Sequence, residues 1–159
     1  MAHPGETPDT TEGLDLTGRV IREAIRLYSP GWLLTRVTTT DTELGGHRLP
    51  RGTTVVYSPY LLQRQDRYYP DPLRFDPDRW LAHDPRHSPF LAFGAGPRRC
   101  VGEEFGLTES TLLLATLIRR WNLTPVPGRP VREVPLATLR PGPVWMHTSE
   151  RIPDRPPNC

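Results

Sequence analysis

The sequence predicts an α+β chain, and three observations carry that prediction. Apolar residues recur at helical spacing after Leu16 and again beyond Glu103, and short Thr- and Val-rich runs broken by Gly and Pro lie between and after these segments. A stretch from Gln63 to Pro97 carries Pro, Asp, Arg and aromatics with no period at all.

Residues 1–13 (MAHPGETPDTTEG) are polar and aperiodic, so a disordered leader is expected over residues 1–15, ahead of a folded region over 16–152. Leu16, Val20, Ile21, Ala24, Ile25 and Tyr28 then fall at helical spacing until Ser29-Pro30-Gly31, which predicts a helix over 17–28. Between Arg36 and Tyr57, RVTTTD and TTVVY flank Gly45-Gly46 and Pro50-Arg51-Gly52, the pattern of short antiparallel strands joined by tight turns. The aperiodic stretch that follows is long for a loop in a compact domain, and its aromatics argue that it is ordered by packing on something else. Phe105, Leu112, Leu113, Leu117, Ile118 and Trp121 place a second amphipathic helix over Glu103 to Trp121. Alternating Pro, Gly and Val beyond it predict a terminal hairpin around Pro141-Gly142, and residues 153–159 a mobile tail.

Composition narrows the function. The chain has 159 residues with 20 Leu, 9 Val, 4 Ile and 4 Phe, barely above the roughly 20% needed to bury a core. With 20 Pro as well, the expectation is a loop-rich domain, or part of a larger one whose remaining surface is covered by something else. Every one of the 20 basic residues is Arg, yet the net charge is only +2 and no basic run appears, which excludes a nucleic-acid-tracking surface. No apolar stretch reaches the ~18 residues of a membrane span, and the polar N-terminus resembles neither signal nor anchor, so a cytoplasmic location is expected. Only Cys100 and Cys159 are present, too few for a disulfide framework or an unaided zinc site. His83 and His87 have a helical metal-ligand spacing, but Asp84-Pro85 between them opposes a helix. Asp66, Asp71, Asp76 and Asp78 are interrupted by prolines and read as turn formers rather than as a calcium loop.

The chemistry concentrates in Phe93-Gly94-Ala95-Gly96-Pro97-Arg98-Arg99-Cys100-Val101-Gly102, which sets a thiol on a glycine-rich loop just ahead of a helix. A helix N-terminus and neighbouring arginines favour thiolate, as a nucleophile or metal ligand requires, and glycines let a flat or bulky group approach the backbone. Local physics leaves a buried structural cysteine equally open. Glu23 and Arg26, by periodicity alone, read as a solvated i, i+3 pair on a helix surface.

Phe93, Gly96, Arg98, Cys100 and Gly102 match F-x-x-G-x-R-x-C-x-G, with Phe105 and Glu109 continuing the pattern; upstream, in order, stand Glu23-Ala24-Ile25-Arg26 as E-x-x-R and Phe75-Asp76-Pro77-Asp78-Arg79-Trp80 as a P-x-R-F-like segment. The chain thereby resembles the cytochromes P450 from about Leu16 to Ile152, the C-terminal portion of a family whose members are more than twice this length. The fold implied is the C-terminal part of a mainly helical P450: K-type helix, small antiparallel sheet, long ordered loop, haem-thiolate loop, L-type helix and terminal hairpin. The resemblance implies haem b ligated at iron by Cys100, Phe93 packed by the thiolate, and Gly94 and Gly102 beside the cofactor. It also implies Arg98 and Arg36 on the haem propionates, with a surface arginine opening the first strand as the lesser reading of Arg36. Glu23 and Arg26 would interlock with Arg79 to pin the aperiodic loop as a scaffold. Trp32, Leu33 and Leu34 occupy the segment that lines the family's substrate pocket, or are plain core.

The activity implied is monooxygenation of a small lipophilic substrate, with electrons from NAD(P)H through a ferredoxin or flavoprotein reductase at the proximal face, where Arg99 is positioned to meet an acidic partner. In style, the stretch from Thr53 to Trp80 is similar to actinobacterial P450s that oxidise terpenes. The 22 residues before Glu23 are too few for the family's long distal helix, and Gly5-Glu6-Thr7, bracketed by Pro4 and Pro8, cannot replace it. Two readings therefore stand beside the monooxygenase: a non-catalytic truncated remnant or haem-binding protein, and one half of a split P450 completed by a separate distal half.

Overall fold

The computed structural model describes residues 10–82, 84 and 86–151. Most of the expected leader, the tail over 153–159, Gly5-Glu6-Thr7 and His83 lie outside the described residues. Among the described residues the fold is mixed, with two long helices and four two-stranded antiparallel ladders.

Helix α1 spans Asp15–Leu27, starting two residues earlier than the apolar spacing predicts because Asp15 adds a favourable acidic group to its first turn. It ends where the Tyr28 N–H bonds Ala24 O at 2.8 Å and the Ser29 hydroxyl folds back onto Ile25 O at 3.1 Å. Its buried face corrects the periodic reading. Glu23 and Arg26 are 0% exposed, whereas Leu16 and Tyr28 of the apolar stripe are open to solvent.

Strand β1 (Leu34–Val37) pairs antiparallel with β4 (Thr54–Tyr57), Leu34 opposite Tyr57, so the strand opens at Leu34 rather than at Arg36. Between them β2 (Thr42–Leu44) and β3 (His47–Leu49) form a hairpin. Its turn is Gly45-Gly46 at φ +59° and +80°, the two left-handed positions that a tight hairpin demands. A one-turn helix α2 (Pro59–Leu62) follows, capped by the Ser58 hydroxyl, which accepts from Leu61 N and donates to Trp32 O at 2.5 Å.

The stretch after Gln63 is ordered, with short 3-10 turns at Pro77–Ala82 and Gly96–Arg98. The aspartates form turns here: Asp76 accepts from Asp78 N at 3.1 Å, and Asp71 adopts φ +47°. His87 meets Asp84 at 3.0 Å, and among the described residues no three His, Cys, Asp or Glu cluster as metal ligands.

Helix α3 (Glu103–Arg120) crosses α1 through small side chains: Gly18 lies beside Thr111, and Thr111 and Ala115 are buried. The predicted helix ran through Trp121, but Trp121 is extended and opens β5 (Trp121–Pro125), which pairs with β8 (Met146–Glu150). Strands β6 (Glu133–Pro135) and β7 (Leu139–Pro141) form the intervening hairpin. Its reversal is at residues 136–138 rather than at Pro141-Gly142, because Pro141 stands opposite Glu133 at the end of the ladder, a position where its missing N–H costs nothing. This hairpin docks on the turn after α1, with Leu139 N on Pro30 O at 2.8 Å and Trp32 Nε1 on Leu136 O at 2.9 Å.

The buried apolar residues are few: Leu27, Tyr69, Ala92, Ala115 and Leu139. The largest fully buried side chains include Arg26, Gln63 and Glu23, so the centre of the molecule is polar. No helix among the described residues is long and apolar enough to cross a membrane.

Candidate functional site

The site is built on a buried ionic centre. Glu23 takes five hydrogen bonds: from Arg26 Nε and Nη2, both at 2.9 Å, from Arg79 Nε at 3.0 Å, from Asp76 N at 3.0 Å and from Trp80 Nε1 at 3.1 Å. Arg26 uses its remaining donors on loop carbonyls, Gln63 O at 2.7 Å and Pro72 O at 2.8 Å, while Arg79 reaches Pro70 O at 3.1 Å. Burial alone would raise the Glu23 carboxyl, but the Arg26 hydrogen bonds, the Asp76 amide, the Arg26 charge and Arg79 outweigh it and hold the group below its ordinary value. The three charged residues singled out in the sequence thus meet in one network, with two partners the sequence did not offer.

Those partners are Gln63 and Trp80. The Gln63 amide donates to Ser29 Oγ at 2.7 Å and to Arg26 O at 3.2 Å, and its carbonyl oxygen accepts from Leu91 N at 2.8 Å. One buried amide therefore ties the end of α1 to both ends of the aperiodic stretch. Nothing marks it in the sequence, because a glutamine beside a helix end is ordinarily exposed. Tyr69 packs under the same centre with its hydroxyl on Pro89 O at 3.0 Å, and burial pushes its phenol up to about 12.

From this centre an aromatic series leads to the glycine-rich loop. Trp80 meets Phe90 edge-on at 5.2 Å between ring centroids, and Phe90 meets Phe93 at 6.0 Å. The loop closes on itself through Cys100 N–H to Phe93 O at 2.8 Å and Arg99 N–H to Gly96 O at 3.0 Å. Gly94 and Gly96 hold φ +77° and +65°, conformations that L side chains rarely adopt, whereas Gly102 has an ordinary φ and serves as the α3 N-cap. A Cβ on Gly102 would stand 3.8 Å from Cys100 Sγ; one on Gly96 would meet nothing within 4 Å.

Cys100 is exposed and unpaired, which removes the reading of a buried structural cysteine. Arg98 is exposed as well, and its guanidinium has no hydrogen-bond or ion-pair partner among the described residues. Arg99, by contrast, is already occupied: it forks onto Glu103 at 2.5 and 2.6 Å, so its acidic partner here is intramolecular. Arg36 donates to the neighbouring Thr35 O at 2.8 Å and lies over the Tyr57 ring. Of the three residues after the turn, Trp32 braces the C-terminal hairpin, Leu34 sits in the β1–β4 ladder and Leu33 is exposed.

A helix-anchored polar centre thus holds a glycine-rich cysteine loop at the start of a second helix, and the chain belongs to the cytochrome P450 family, whose model matches residues 6–145. It is 48% identical over 136 residues to cyclooctatin synthase of Streptomyces melanosporofaciens, covering 84% of this chain and 30% of that protein. It is also 48% identical over 134 residues to pentalenene oxygenase of Streptomyces avermitilis, covering 82% and 30%. The crystal structure of the cytochrome P450DA haem domain superposes with a TM-score of 0.82 at 27% identity, covering 90% of this chain and 32% of that one. The chain thus spans about a third of the length of the relatives it matches.

Proposed function

We propose that this chain is the haem-ligating portion of a P450 monooxygenase, with the Cys100 thiolate as the axial ligand of haem b. The observation that carries the reading is the Cys100 thiol, exposed and unpaired on a loop locked by its own N–H to Phe93 O. The residues present fit the group. A soft sulfur suits iron, the unpartnered Arg98 guanidinium suits a propionate carboxylate, and the backbone at Gly96 is open where a flat macrocycle would approach. Arg36 spends one donor on Thr35 and keeps others for a second propionate. Gly94 and Gly102 leave room beside the loop backbone, and Phe93, whose carbonyl takes the Cys100 N–H, would pack by the sulfur as the family resemblance implies.

When bound, a haem thiolate supplies electron density that favours O–O cleavage. The chain's residues position it: Glu23, Arg26 and Arg79 fix the aperiodic stretch, the aromatic series carries that rigidity to Phe93, and the Phe93 carbonyl fixes Cys100. In the complete enzyme one oxygen atom of O2 enters an apolar substrate and the other leaves as water. Electrons come from NAD(P)H through a ferredoxin or flavoprotein docked beside the Cys100 loop. The likeness to pentalenene oxygenase supports a terpenoid substrate class. The family resemblance, rather than any contact described above, assigns Trp32, Leu33 and Leu34 to the pocket side and the chain to the cytoplasm. The distal residues come from the rest of the protein or from a separate chain.

The test is spectroscopic. Haem is added to the purified chain, which is then reduced under carbon monoxide; a red-shifted Soret band that disappears in Cys100→Ala is expected. No such band, or its persistence in Cys100→Ala, overturns the assignment.

A further inference from the structure

A bidentate ion pair brackets the candidate ligand. Arg99 Nε and Nη2 reach the two Glu103 carboxylate oxygens at 2.5 and 2.6 Å, from the residue before Cys100 to the residue three beyond it. The two partners are unequally placed: the Glu103 side chain is 11% exposed, the Arg99 side chain 60%. Backbone contacts do not do the same work. Cys100 N–H is well bonded to Phe93 O, but on the helix side Glu103 N reaches Cys100 O only at 3.4 Å, and the Gly102 N-cap supplies no side-chain acceptor. The bidentate fork is therefore the firm link between the cysteine and α3, and Glu103 gains further from its place in the first helical turn.

We infer that Arg99 and Glu103 are positioning residues that hold Cys100 against α3 and cancel each other's charge on either side of it in the chain, setting the reduction potential of a haem iron bound there. This rests on the haem-thiolate reading above. A purely mechanical clamp and a charge-balancing one differ in sign. If the fork only holds the loop, breaking it from either side loosens the same sulfur and moves the potential in the same direction. If it also balances charge, Glu103→Gln leaves an unopposed cation that favours the ferrous state, and Arg99→Gln leaves an unopposed, largely buried carboxylate that disfavours it.

The experiment is a dye-coupled redox titration of the haem-loaded chain at pH 8, well above the ordinary carboxylate range, with the ferrous carbon monoxide spectrum recorded alongside. Glu103→Gln is expected to shift the one-electron equilibrium about threefold upward and Arg99→Gln about threefold downward, each ~30 mV at ~59 mV per tenfold, with the double variant returning toward wild type and Arg99→Lys staying near it. Shifts of the same sign in the two single variants, or none, overturn the inference while the wild-type thiolate spectrum leaves the Cys100 reading standing. Absence of that spectrum in the wild-type chain overturns both.

Discussion

Glu23 is the residue on which most of the described order converges. Replacing it with Gln removes the only carboxylate that, among the described residues, faces the Arg26 and Arg79 guanidiniums, and uncompensated buried charge costs about 3–5 kcal/mol. Against the 5–15 kcal/mol margin of an ordinary domain, Glu23→Gln is expected to lower the denaturant midpoint sharply, a result that equilibrium unfolding checks directly. The carboxyl's lowered pKa adds a pH dependence. Its contribution is fully present above the unfolded-state value of about 4.3 and is lost as pH falls through the lower folded value, so the wild-type chain should weaken in acid and the Gln variant lose that slope. Only part of this was legible beforehand. Periodicity set Glu23 and Arg26 on the solvent side, because an apolar-stripe rule assumes that burial goes with hydrophobicity, and here the buried face of α1 is the charged one. Arg79 was tied to them only through the family resemblance, and Gln63 not at all, since its three side-chain hydrogen bonds go to residues 29, 26 and 91. Cys100 stood out because glycines, arginines and a following helix sit next to it in sequence, but those neighbours left a structural cysteine equally open, and its expected role as a ligand came from the family resemblance.

Among elements, the 3-10 turn Pro77–Ala82 couples the ionic centre to the cysteine loop through one side chain, Trp80, whose indole N–H bonds Glu23 and whose ring meets Phe90. Trp80→Phe keeps a ring against Phe90 and loses a hydrogen bond to a charged group, worth about 1.5–3 kcal/mol; Trp80→Ala forfeits the ring contact as well, about 0.5–1.5 kcal/mol more before any loss from burial. Chemical denaturation followed by far-UV circular dichroism should rank the variants wild type, Phe, Ala. The elements whose determinants are local were legible: the Gly45-Gly46 hairpin, and both long helices to within two residues at each end. The β5–β8 pairing was not, because its partners are separated by the β6–β7 hairpin and no turn signal links them. The reversal at residues 136–138 was missed for a related reason: Pro141-Gly142 carries the stronger local turn chemistry, but tertiary contacts to Pro30 and Arg132 keep that segment in line.

At the scale of the molecule, apolar surface is conspicuous by its exposure. On α3, Phe105 is 72% and Leu113 58% exposed, while its buried residues include Thr111, beside Gly18 of α1, and Ala115. The apolar stripe that the sequence identified on this helix is therefore real but turned largely outward, which fits a chain spanning about 30% of its curated relatives. Exposed apolar patches bind hydrophobic dyes and promote association. The 159-residue chain is expected to enhance 8-anilinonaphthalene-1-sulfonate fluorescence while retaining its far-UV signal, and Phe105→Ser with Leu113→Ser to reduce that enhancement without lowering the melting temperature. A drop in melting temperature instead would mean that these side chains are packed.

The polar centre also sets how stability responds to temperature. Unfolding a domain with an oily interior releases hydrocarbon to water and raises the heat capacity, whereas exposing polar groups lowers it. Here the largest fully enclosed side chains are Arg26, Tyr69, Gln63 and Glu23. The chain's heat-capacity increment per residue is accordingly expected to fall below the usual ~12–15 cal/mol/K, which gives a shallow free-energy arch with cold costing it little, and calorimetric unfolding checks it.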